Sequence, residues 1–122
     1  MIKIQTVGII TEEIERILGI TITGDRSIYF GTSNLSHMKK SHPADFAKYG
    51  ADLETILAAP DYVGQNPTDG SIEYVKEYVI NGEYVKVAVR IAGSGRYYAR
   101  SLYILNSNRV RNYIAKNTLK RT

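Results

Sequence analysis

Apolar positions recur with two different periods along the chain, and the change between them falls near Asp61. Upstream, they lie three and four residues apart, as on one side of a helix. Thr11 is an N-cap residue followed by the acids Glu12 and Glu13, then Ile14, Ile17 and Leu18 form an apolar face that Gly19 terminates. Alternation in Ile20-Thr21-Ile22-Thr23, a turn signal at Gly24-Asp25 and the run Ser27-Ile28-Tyr29-Phe30 predict a pair of short strands. Ser33-Asn34 is the expected cap of a helix carrying Leu35, His37 and Met38. Pro43 ends or kinks it and suits the first position of a second segment through Phe46 and Tyr49. Asp52 is the expected cap of a third, with Leu53, Ile56 and Leu57 inward and Pro60 closing it.

Downstream the period is two. Ile72 to Ile80 and Glu83 to Ile91 read as strands joined by Asn81-Gly82, a strong hairpin signal. Gly93-Ser94-Gly95 leads into a strand from Arg96 to Leu105, and Ser107 is the expected cap of a C-terminal helix with Val110, Tyr113 and Ile114 inward. The glycine segment joins two strands and lacks a P-loop lysine, so it reads as a hairpin turn. Helices followed by an antiparallel meander define an α+β domain, and no repeat, low-complexity tract or linker divides residues 1–122.

Strand parity sorts the meander into two faces. Val85, Val87, Val89 and Ile91 point one way, and Tyr84, Lys86, Ala88 and Arg90 the other. Leu102 and Ile104 fit the valine core, which places Tyr97, Ala99, Ser101 and Tyr103 with Lys86 and Arg90 and leaves Arg100 awkwardly on the core side. A face of Lys, Arg, Ser and Tyr suits phosphate contact and base stacking, yet it is also what a solvated antiparallel sheet displays. Of the ten tyrosines, Tyr74 and Tyr103 are the candidates for a role beyond packing.

Composition narrows the classes. A chain of 122 residues with 43% hydrophobic content can bury a core. It contains no cysteine, which excludes disulfides, thiolate nucleophiles and thiolate metal sites, and no cofactor is expected. No apolar run approaches the roughly 18 residues that span a bilayer, and the start of the chain lacks the layout of a signal peptide, so a protein that is cytoplasmic, or delivered into a target-cell cytoplasm, and without membrane contact is expected. The net charge is +4, and no acidic residue follows Glu83, whereas Arg90, Arg96, Arg100, Arg109, Arg111, Lys116, Lys120 and Arg121 do. That asymmetry favours an anionic partner.

Candidate chemistry lies in His37-Met38-Lys39-Lys40-Ser41-His42-Pro43, which holds both histidines. An imidazole beside ammonium groups offers a proton acceptor next to an anion holder, the pair that RNA cleavage needs. His37 and Lys40, three apart, share a helix face and make His37 the preferred base, the alternative being an exposed helix histidine without a role. His42 precedes proline and must lie at a helix end, either fixing that turn or taking part in the chemistry. Metal binding by the pair is disfavoured by their spacing and by the lysines.

The segment His37, Lys40, His42, Pro43, then an aromatic-bearing helix, Ile56-Leu57 and Pro60-Asp61-Tyr62-Val63 before a meander, resembles the phage-encoded branch of the barnase/EndoU/colicin/RelE-like nuclease superfamily over Tyr29 to Leu105. The resemblance implies N-terminal helices packed on a four-stranded antiparallel sheet, and a metal-independent endoribonuclease of the toxin or mobile-element kind. Cleavage by the 2′-hydroxyl would leave a 2′,3′-cyclic phosphate. His37, Lys40 and His42 carry over from the motif, whereas Lys86, Arg90, Ser101 and Tyr103 are catalytic candidates from strand parity. Lys39, Tyr74, Lys76, Tyr97 and Arg100 are the candidate nucleic-acid contacts. Expected partners are RNA and an acidic antitoxin or immunity protein. The rival expectations are a non-catalytic nucleic-acid-binding domain and a protein-interaction module of a phage or mobile element.

Overall fold

The structure is a computed structural model that describes residues 4–122. Its first element is a strand, β1 (Ile4–Ile9), followed by α1 (Glu12–Leu18), β2 (Ser27–Gly31), α2 (Thr32–Ser41), α3 (Pro43–Tyr49), a 3-10 turn at Gly50–Asp52 and α4 (Leu53–Ala58). The second half contains β3 (Tyr62–Gln65), β4 (Ile72–Tyr78), β5 (Glu83–Ile91), β6 (Tyr97–Leu105), α5 (Ser107–Ala115) and β7 (Leu119–Arg121). These strands form one seven-stranded sheet in the order β1-β2-β6-β5-β4-β3-β7. The expected four-stranded antiparallel sheet is thus too small and too uniform: β3 to β6 form an antiparallel meander, but β2 joins β6 in parallel through Ile28 with Tyr97 and Tyr29 with Tyr98. No helix among the described residues is long and apolar enough to cross a membrane.

The partner of β2 is β1, from Ile4 opposite Gly31 to Ile9 opposite Ser27, and Ile20 to Thr23 form no strand. Their backbone is engaged elsewhere. The Ile22 N–H donates to Glu15 Oε1 at 2.5 Å, and Arg26 Nη1 holds Glu15 Oε2 at 2.8 Å, tying the loop onto α1. The Ile22 bond, with the Arg26 guanidinium adding to it against desolvation, lowers the Glu15 carboxyl below the usual glutamate range.

Thr11 caps α1 as expected, its hydroxyl accepting from the Ile14 N–H, and Gly19 ends the helix in the left-handed region at φ 68°. Pro43 starts α3 as expected. Other caps differ. Asn34 works backwards, accepting from the Gly31 N–H, while Asp52 makes no capping bond and accepts from the Tyr78 hydroxyl at 2.9 Å. Asn106, in place of Ser107, caps α5 by accepting from the N–H groups of Asn108 and Arg109.

The β4–β5 connection is also longer than a two-residue hairpin. Strand pairing ends at Tyr78 with Glu83, so Val79 to Gly82 form the turn and the apolar Val79 and Ile80 are left exposed. Of the four only Gly82 takes a positive φ, 63°. At the other end of the sheet, Gly64 permits β3 to meet β7: a Cβ there would lie 2.5 Å from the Thr118 carbonyl oxygen.

Helices α1 to α4 cover one face of the sheet. The main core joins Ile10, Ile14, Met38, Leu53, Ile56 and Leu57 to Ile28, Tyr74, Val85, Val87, Val89 and Leu102. Ile91, expected there, is exposed at the strand end. The opposite face carries a smaller cluster of Tyr62, Val75, Leu105, Val110 and Leu119 under α5 and β7, with Tyr84, Tyr103, Tyr113 and Ile114 at its margin. That face is therefore covered at one end and open at the other.

Candidate active face

A bulge in β6 decides what the open face displays. Ala88 pairs with Ser101 and Val89 with Ala99, so Arg100 is an extra residue with no partner on β5. Alternation is reset there. Tyr97 and Ala99 fall on the core side with Ile91 and Val89, Ala99 is fully buried, and Tyr97 packs against the main core. Tyr98 takes the place expected for Tyr97, opposite Arg90. The awkward position of Arg100 is resolved because a bulged residue belongs to neither face; it is exposed at the sheet margin.

The rows of the open face follow from the pairing register. Tyr98 lies beside Arg90, Ser101 beside Ala88 and Glu73, and Tyr103 beside Lys86 and Val75. Tyr74 and Lys76 have the opposite parity. Tyr74 is fully buried in the main core, where desolvation raises its pKa and its hydroxyl has no hydrogen-bond partner among the described residues, so it is no stacking platform. Lys76 Nζ donates to the Ala59 carbonyl at 2.9 Å and is held at the end of α4.

Helix α2 brings both histidines to this face. Where β2 ends at Gly31 the chain turns directly into α2, which runs along the edge of β6 that β2 has vacated. At the end of that edge the Ile104 N–H donates to Asp45 Oδ2 of α3 at 3.0 Å, so a side chain satisfies an amide a strand would otherwise take. His37 is exposed and lines a cavity of about 520 Å³ with Ser33, Asn34, Ser94, Tyr98 and Arg100; its Nε2 is 3.4 Å from Ser41 Oγ. His42 makes no capping bond with its side chain, and its ring stacks on Tyr103 at 4.7 Å between centroids. Lys39 and Lys40 are exposed in the last turn of α2.

Lys86 is not a free cation. Its Nζ donates to Glu73 Oε2 at 2.7 Å, with 14% and 13% of the two side chains exposed, and it stands 4.8 Å from the Tyr103 ring centre. Burial acts to lower its pKa, but the bond to Glu73, with the neighbouring Tyr103 adding to it, outweighs burial and leaves it above the ordinary lysine value. His42, Tyr103, Lys86 and Glu73 thus form a chain of contacts across the face. Glu73 was missed from sequence, although the register that pairs Tyr78 with Glu83 also places it beside Ala88 and diagonal to Lys86.

Two imidazoles, a carboxylate and several cations along one sheet face of an α+β domain set proton-transfer groups beside anion-binding ones. The model of the phage-Barnase-EndoU-ColicinE5/D-RelE like nuclease 3 family matches residues 4–112, and the chain belongs to that family. No curated protein and no solved structure matches it.

Proposed function

We propose that this chain is a metal-independent endoribonuclease that cleaves by 2′-hydroxyl attack, with His37 as base and His42 as acid. The observation that carries the reading is the placement of both histidines against β6, at the margin of the face that holds Ser101, Lys86 and Arg90. His42 closes α2 off the helical path, at φ −140° and ψ 69°, and its ring is turned onto Tyr103, while His37 lines the cavity with Tyr98 and Arg100. His37 takes the proton of the ribose 2′-hydroxyl while its oxygen attacks the adjacent phosphorus. The bond from phosphorus to the 5′ oxygen breaks, that oxygen takes a proton from His42, and a 2′,3′-cyclic phosphate remains. Arg90, Arg100 and Lys86 stabilise charge on the phosphorane, with Ser101 and the Tyr103 hydroxyl as donors. Lys39 and Lys40 hold flanking phosphates.

Incubating the purified protein with total RNA and with DNA in excess EDTA tests this. RNA should be cut to cyclic-phosphate ends while DNA stays intact. Loss of all cleavage in EDTA, or efficient cutting of DNA, overturns the mechanism. Salt-sensitive RNA binding without cleavage would identify a binding module instead. The exposed cations Arg90, Arg96 and Arg100 also suit an acidic immunity protein that would cover the same face.

A further inference from the structure

A second cavity, of about 420 Å³, opens between α5, the β3–β4 loop and the covered end of the sheet. We infer that it binds one nucleobase of the RNA, next to the phosphate that is cut; this rests on the nuclease reading above. Lys86 belongs both to the wall of this cavity and to the chain of contacts that ends at His42, so the two sites adjoin through one side chain.

The lining fits a base better than a phosphate alone. Tyr113, on α5, provides an aromatic wall for stacking, and the volume accommodates a purine. Glu73 engages Lys86 through Oε2, which leaves Oε1 as an acceptor for a ring or exocyclic N–H. Asn66 Oδ1 accepts from the N–H groups of Thr68 and Asp69, so its amide NH₂ is what it offers to a ring carbonyl or nitrogen. With Glu73 paired to Lys86, the exposed Lys116 is the charge left over at the rim, suited to a phosphate of the same nucleotide. An aromatic wall, one acceptor, one donor and one cation together match a nucleotide.

The test titrates the four nucleoside 3′-monophosphates into the full chain by NMR and maps cleavage of an RNA of mixed sequence. At least one nucleotide should shift the Tyr113 and Lys116 signals, with Kd weakened at least fivefold in Tyr113→Leu and in Lys116→Ala, and the base preference at the cut should flatten. Tyr113 touches the small core, so the exposed Lys116→Ala carries the test if Tyr113→Leu fails to fold. Nucleotide shifts confined to α2, or an unchanged affinity and base preference in Lys116→Ala, overturn the pocket. Pocket-dependent nucleotide binding without any RNA cleavage would instead sustain the pocket and overturn the catalytic reading.

Discussion

The imidazole of His42 lies on the ring of Tyr103, with centroids 4.7 Å apart and planes 25° from parallel. The contact holds the α2–α3 junction against the open face, so His42 is expected to serve both stability and cleavage. His42→Ala should cost about 1 kcal/mol, within the usual range for a lost ring pair, and lower the melting temperature by a few degrees. Its cleavage rate should fall at least a hundredfold. His37→Ala, at an exposed helix position, should lose as much activity with an unchanged melting temperature. Thermal unfolding and RNA cleavage on the two variants check this, and a fully active His42→Ala enzyme would remove it from the chemistry.

Lys86 and Arg90 should separate as a pair of substitutions. Sequence parity alone makes both solvated, but Lys86 is in a mostly buried ion pair with Glu73 and Arg90 is exposed. Arg90→Ala should leave unfolding unchanged and slow cleavage. Lys86→Ala strands the Glu73 carboxylate and should cost roughly 2–3 kcal/mol, whereas Lys86→Met combined with Glu73→Gln should recover most of that without recovering activity. Because the folded-state pKa of Lys86 is raised, its contribution is complete below the unfolded value, about 10.4, and is lost as pH rises through the higher folded value. Denaturant midpoints of the four proteins between pH 7 and 11 measure both effects.

What could be read from sequence was local. The valines of β5 and the proline between α2 and α3 announce themselves through alternation and backbone chemistry within a few residues. β1 could not be found that way, because Ile4–Ile9 gains its partner only from β2, on the far side of α1 and the loop after it. The bulge was equally hidden: one unpaired residue, Arg100, shows only against the register of β5, and missing it misplaced Tyr97 and Ala99. Tyr74 carried a usable signal, since it shares parity with the apolar Ile72 and so belonged with the core. The proximity of Tyr103 to His42, and the cavity beside Glu73, arise from packing between distant segments and have no counterpart in spacing.

Tyr74→Phe should raise stability. The buried hydroxyl has no hydrogen-bond partner among the described residues, and leaving such a group unsatisfied costs about 1–3 kcal/mol. Phenylalanine keeps the ring contacts and removes the group that must be desolvated. The melting temperature should increase, and RNA affinity should stay the same because the ring lies under the helices, away from the open face. A drop in melting temperature would reveal a partner for that hydroxyl in solution, such as a bound water.

Arg100 allows the bulge and the side chain to be tested apart. Removing the residue outright brings Ala99 next to Ser101, and the pairs Val89 with Ala99 and Ala88 with Ser101 then follow regular alternation. The deletion variant should therefore fold, with stability within about 1 kcal/mol of the parent, whereas deleting Leu102 from the same strand should not be tolerated, because it would take a fully buried side chain out of the core. Arg100→Ala keeps the bulge and removes only the guanidinium from the His37 cavity, and it should slow cleavage about tenfold, equivalent to 1.4 kcal/mol. If the side chain is all that matters, the deletion should match Arg100→Ala. We expect it to be slower still, since a bulge increases local twist and here presents β6 to α2, so that straightening the strand moves Tyr98 relative to His37. Equal rates for the two variants would assign the bulge to the fold alone.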